Sequence, residues 1–180
     1  MKKSIIAILL LAITFSFSAI AQDDKVEEVK GYQFEITKEL PATPVKDQYR
    51  SGTCWSFATI SFLESELIRM GKDEIDLSEM FVVYKAYSDK AIKHVRFHGN
   101  LNFGAGGACH DVTDMWKKYG IMPEEAYAGK VIGEDGHIHG EMDNVLNDYV
   151  NSVIENKNKK LTPVWHDGFD GILDAYLGDI

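Results

Sequence analysis

Between Cys54 and Leu177 the apolar residues recur at helical spacing, and glycine or proline punctuates the runs. The first run extends from Cys54 to about Met70 and is stopped by Gly71. Its opening stretch, Cys54 to Phe62, contains no charged side chain, and apolar or small residues point all round it. That is the pattern of a helix buried on every side. Charges enter only at Glu64, Glu66 and Arg69, where the far end is expected to meet solvent. A second helix is predicted from Ser78, a suitable N-cap, through Val82, Val83, Ala86, Tyr87 and Ile92 to about Val95. A third covers Asp111 to Tyr119 and halts at Gly120. Met142, Val145, Leu146, Tyr149, Val150, Val153 and Ile154 draw an apolar stripe between Glu141 and Lys160, which Thr162-Pro163 ends. A last short helix is expected over Phe169 to Leu177. Ahead of all these, Tyr32 to Thr37 alternates in the manner of a strand. The periodicity therefore predicts a mainly α fold.

The chain begins with a different pattern. Lys2 and Lys3 precede an apolar core, Ile5 to Phe17, and Ala19-Ile20-Ala21 follows as a small-x-small site. Residues 1–21 read as a signal peptide, with Gln22 the expected new terminus and an exported product. The core is too short for a comfortable membrane span. An acidic connector, 22–42, leads to one domain over 43–180. A hydrophobic fraction of 45% suffices for a core, and a formal charge of −9 argues against nucleic acid and anionic membranes as partners. No internal repeat or low-complexity segment is present.

Candidate chemistry concentrates in Gln48-Tyr49-Arg50-Ser51-Gly52-Thr53-Cys54-Trp55-Ser56-Phe57-Ala58. A cysteine where a turn enters a helix is favoured as thiolate, because the helix N-terminus carries unpaired N–H groups and partial positive charge. Gln48 offers an amide donor for a developing oxyanion, with the Cys54 backbone N–H as a second. Position alone favours a small buried cysteine; the combination of Gln, Gly, Cys-Trp and Phe-Ala reverses that. Cys109, the other cysteine, is read as packing within its helix, and both are expected to be free thiols. His110 beside it points about 100° away round the helix. His94 and His98 lie at i, i+4 but lack the acid of an H-E-x-x-H site, so a solvated face is expected. The loop 128–140, with Glu134, Asp135, His137 and His139, lacks an EF-hand ligand pattern and is expected at the surface.

On these residues the chain resembles papain-fold cysteine peptidases, and within them the bleomycin hydrolase / aminopeptidase C branch. The signature C-G-[SA]-C-[WY] reads Ser51-Gly52-Thr53-Cys54-Trp55, with Ser51 in place of the first cysteine. Pro44-Val45-Lys46-Asp47 and Lys118-Tyr119-Gly120-Ile121-Met122-Pro123 also resemble the family. The resemblance implies Cys54 as nucleophile, Gln48 in the oxyanion hole, and Trp55, Gly106 and Gly107 against the substrate. It implies the helical left-hand domain of the papain-like α+β fold, with a helical insertion at about 128–180 and the β-barrel-like right-hand domain absent. The short connector leaves no room for a helical prosegment, which favours the bleomycin hydrolase branch. The histidine and asparagine of the family are expected about 130–150 residues after the cysteine, from about residue 184 onward. They would come from a missing C-terminal half. No metal and no cofactor are implied. Partners would be a peptide substrate, that missing half and, as in the branch, further copies in a homo-oligomer. The alternative is a non-catalytic module that binds a peptide or a partner chain.

Overall fold

A computed structural model describes residues 31–180, and the predicted signal peptide at 1–21 lies outside them. Five helices follow in order: α1 (Cys54–Arg69), α2 (Glu79–Arg96), α3 (Cys109–Tyr119), α4 (Gly140–Ile154) and α5 (Trp165–Leu177). Strand structure among the described residues is limited to two isolated bridges, Arg50 with Ile138 and Leu77 with Pro123. This is the helical left-hand domain expected from the sequence. Residues 40–180 form one compact unit. Tyr32 to Thr37 is exposed and forms no strand, which corrects the reading from alternation. Alternation marks a half-buried strand only where another strand accepts its ladder.

The central helix is α2. It touches all four others, and thirteen of its eighteen residues are buried. Its start follows directly from the sequence: the Ser78 side chain accepts the Phe81 N–H at 3.0 Å, and the Ser78 hydroxyl donates to the Tyr127 carbonyl. Val82, Val83, Ala91 and Tyr87 then fill the space between α1, α3, α4 and α5. Gly71 and Gly120, both with positive φ, stand where the sequence reading ended α1 and α3.

The expectation of an all-round buried α1 fails on one face. Cys54, Ala58, Ser61 and Phe62 are exposed, with Phe62 60% accessible. These positions fall at i, i+4, i+7 and i+8, one stripe of the helix. The opposite error occurs at Glu64, which was expected in solvent and is 1% exposed. Its carboxylate accepts from the Thr43 hydroxyl at 2.5 Å and the Leu77 N–H at 2.8 Å. Those bonds replace water for a buried acid.

Candidate functional site

The turn before α1 is built to stop and aim. Asp47 Oδ1 accepts the Tyr49 N–H at 2.7 Å, and Tyr49 takes a left-handed conformation at φ 48°. Ser51 and Thr53 are buried, their hydroxyls 2.5 Å apart, so Ser51 serves here as a hydrogen-bonding residue. Helix bonding begins at the Thr53 carbonyl, which accepts from Ser56 N–H at 2.9 Å. No side chain caps α1, and no acid lies in its first turn. The partial positive charge of that helix end is therefore left for the exposed, free Cys54.

The glycine-rich segment before α3 lies against both flanks of Cys54. A Cβ on Gly52 would stand 3.1 Å from that of Ala105. Trp55 Nε1 donates to the Ala105 carbonyl at 2.9 Å. Gly107 presses on the indole, where a Cβ would come within 2.7 Å of the ring. Gly107 is thus required by Trp55, while Gly106 faces open space and leaves room for a ligand. Gln48, Trp55, Gly106 and Gly107 were all predicted as site residues. The structure joins Trp55 to the glycine segment; Gln48 sits at the start of the nucleophile turn with its Oε1 buried and without a hydrogen-bond partner.

A brace around this turn was not legible in the sequence. Arg50 N–H donates to the His137 carbonyl at 3.0 Å, and His139 N–H returns to the Arg50 carbonyl at 3.2 Å. Gly136 lies under the Tyr49 ring, and His137 packs edge-on to Phe57 with centroids 5.8 Å apart. The loop expected at the surface thus buries His137 and His139, 6% and 3% exposed. Burial holds each imidazole neutral, with its pKa pulled down to about 4. Beside the brace opens a polar cavity of about 630 Å³, lined among others by Lys46, Asp47, Tyr49 and His137. It also contains Glu124, whose carboxyl burial pushes up to about 7.

Comparison with known proteins agrees with this geometry. Residues 32–162 match the sequence profile of the papain family cysteine proteases. The chain belongs to the papain family. It is 28% identical over 95 residues to the viral cathepsin of Choristoneura fumiferana nuclear polyhedrosis virus, covering 51% of this chain and 29% of that protein. Its fold is similar to PepW of Lactobacillus rhamnosis, with a TM-score of 0.54 at 16% identity, over 79% of this chain and 38% of that one. The chain thus spans less than two fifths of either relative's length.

A papain-family thiol works with a histidine, and the described histidines with hydrogen bonds or ion pairs spend them elsewhere. His94 is buried and bonded to the Leu101 carbonyl at 2.5 Å, not solvated as expected. The Phe103 ring packs against it and helps exclude water. His110 is exposed and lies 3.8 Å from Asp111. His166 meets the Ser88 hydroxyl at 3.0 Å and Asp170 at 3.7 Å, the order of a serine triad. Ser88, however, is buried in the middle of α2, whose N–H groups are used by the helix. The trio ties α2 to α5. Cys109 was expected to pack and is instead exposed at the first turn of α3. The helix begins at Cys109 itself, where Asp111 accepts the Ala108 N–H at 2.8 Å, and a first-turn position there leaves the thiol uncovered. Among the described residues no three His, Cys, Asp or Glu side chains converge as metal ligands.

Proposed function

We propose that this chain is the nucleophile-bearing half of an exported cysteine peptidase of the bleomycin hydrolase / aminopeptidase C kind. The observation that carries the reading is an exposed Cys54 at the uncapped N-terminus of α1, with the glycine segment lying along it. In the proposed reaction the Cys54 thiolate attacks the peptide carbonyl carbon. The resulting oxyanion accepts hydrogen bonds from the Gln48 amide and the Cys54 N–H. A histidine oriented by an asparagine, both from the half that completes the cleft, gives its proton to the leaving amine. Water then gives one proton to that histidine as its oxygen adds to the thioester carbon, the C–S bond breaks, and the acid leaves with the thiolate and the protonated histidine restored. Trp55, Gly106 and Gly107 hold the substrate backbone.

The bare stripe of α1 through Ala58, Ser61 and Phe62 supports the placing of the second half against this face. It equally suits the second reading, a module that binds a peptide or partner without cleaving it. Turnover separates the two. With the completing half present, aminoacyl fluorogenic substrates should be hydrolysed, and Cys54→Ala should abolish the activity. Binding of peptide without any Cys54-dependent turnover would leave the second reading in place. Export after cleavage near Ala21 and assembly into a homo-oligomer belong to the same proposal. N-terminal sequencing and light scattering of native material test them, and a retained Met1 or a monomer would remove them.

A further inference from the structure

The glycine segment beside Cys54 is held down by one cation. Lys90, half-buried on α2, donates to the Gly106 carbonyl at 2.6 Å and to the Gly104 carbonyl at 3.4 Å. Its ammonium also stands 5.2 Å from the centre of the Trp55 ring and 5.9 Å from that of Tyr87. The carbonyl between those two, Ala105, accepts from Trp55 Nε1 at 2.9 Å. Three successive carbonyls therefore turn toward donors on α1 and α2. Lys90 holds the two carbonyls that lie two residues apart, and the indole N–H holds the one between them. Burial draws the Lys90 pKa down and Asp111 opposes it. That desolvation strengthens the attraction of the charge for carbonyl dipoles and aromatic faces.

We propose that Lys90 is a positioning residue that fixes residues 104–107 as the ledge for the substrate backbone next to Cys54. The inference rests on the peptidase reading and adds a residue to it. Lys90 holds the Gly106 carbonyl at 2.6 Å, while a Cβ at Gly106 would meet only open space. The Gly106 carbonyl and the Gly107 N–H belong to one peptide unit, so a cation on the oxygen makes the N–H a stronger donor. Trp55 does the same for the Gly106 N–H through the Ala105 carbonyl. A substrate backbone laid on this ledge would meet pre-set, polarised donors, while the thiol chemistry would not involve Lys90 directly.

The test compares wild type, Lys90→Met and Lys90→Arg in the complete peptidase, this chain with the half that supplies histidine and asparagine. Lys90→Met keeps the apolar stem and should raise KM for peptide substrates about tenfold, with kcat changed by less than about threefold. Lys90→Arg should recover most of the loss. The rate of Cys54 alkylation by iodoacetamide, which has no peptide arm, should be the same in all three. An unchanged KM, or a fall in kcat alone, overturns the inference, as does arginine behaving like methionine. If wild type shows no Cys54-dependent turnover, the peptidase reading fails instead. The clamp is then read from hydrogen exchange in this chain: faster exchange over residues 103–108 in Lys90→Met supports it, and unchanged exchange overturns it.

Discussion

Gly107 and Trp55 form a contact with no slack. A Cβ at residue 107 would lie 2.7 Å from two atoms of the indole, so Gly107→Ala must displace either the ring or the segment that carries Gly106. Overpacking of this kind typically costs about 1–3 kcal/mol. Thermal unfolding should show that loss, whereas Gly106→Ala, with open space before it, should show far less. His137 and His139 make a second prediction at this scale. Each has a folded pKa of about 4 against an ordinary 6.5. The unfolded chain therefore binds more protons between those values, and stability must fall as pH drops from about 6.5 to 4. Each imidazole accounts for on the order of 3 kcal/mol across that window. Glu124, raised to about 7, acts the other way between 4.5 and 7, so the steepest loss should lie below about pH 5. Urea midpoints across pH 4 to 7 check this, and a flat profile would show that the histidines are not held neutral.

At the scale of elements, the stripe Cys54, Ala58, Ser61 and Phe62 separates two kinds of effect. Phe62→Asp should change the stability of this chain by less than about 0.5 kcal/mol, as exposed substitutions do. The same change should weaken association with the completing half, and equal turnover in wild type and variant would place that half on another face. The sequence could not distinguish these cases. An uncharged helical run looks alike whether its own domain or a further partner covers it. Helix ends were more legible. Ser78 caps α2 as its side-chain chemistry required, and Gly71 and Gly120 stop α1 and α3 through their positive φ. The last helix, expected from Phe169, starts four residues earlier, at Trp165, and runs through Gly168. The structure uses that glycine for a close approach, since any side chain there would collide with the Tyr149 hydroxyl. Tyr149 in turn donates to the Trp165 carbonyl at 2.8 Å and joins α4 to the new first turn. The brace of residues 136–139 was illegible for a related reason. Polar, glycine-containing segments read as surface, and only the fold reveals two histidines buried as neutral groups.

For the molecule as a whole, this chain carries an exposed cysteine at a helix end, a glycine segment beside it and candidate oxyanion donors. The proposed second half would supply proton transfer and the opposite wall of the cleft. A positioned general base contributes on the order of 10²–10⁴-fold, and the loss of one wall removes substrate alignment as well. Gln48→Ala in the complete peptidase should lower kcat by roughly 10²–10³-fold through loss of one oxyanion donor, as steady-state kinetics would show. The most direct measurement sets two preparations side by side on one aminoacyl-coumarin substrate: residues 22–180 alone, and the same residues with the completing half. No turnover above background is expected from the first, and from the second turnover that Cys54→Ala abolishes. Robust Cys54-dependent hydrolysis by residues 22–180 alone, or hydrolysis by the complete form that survives Cys54→Ala, would contradict that expectation.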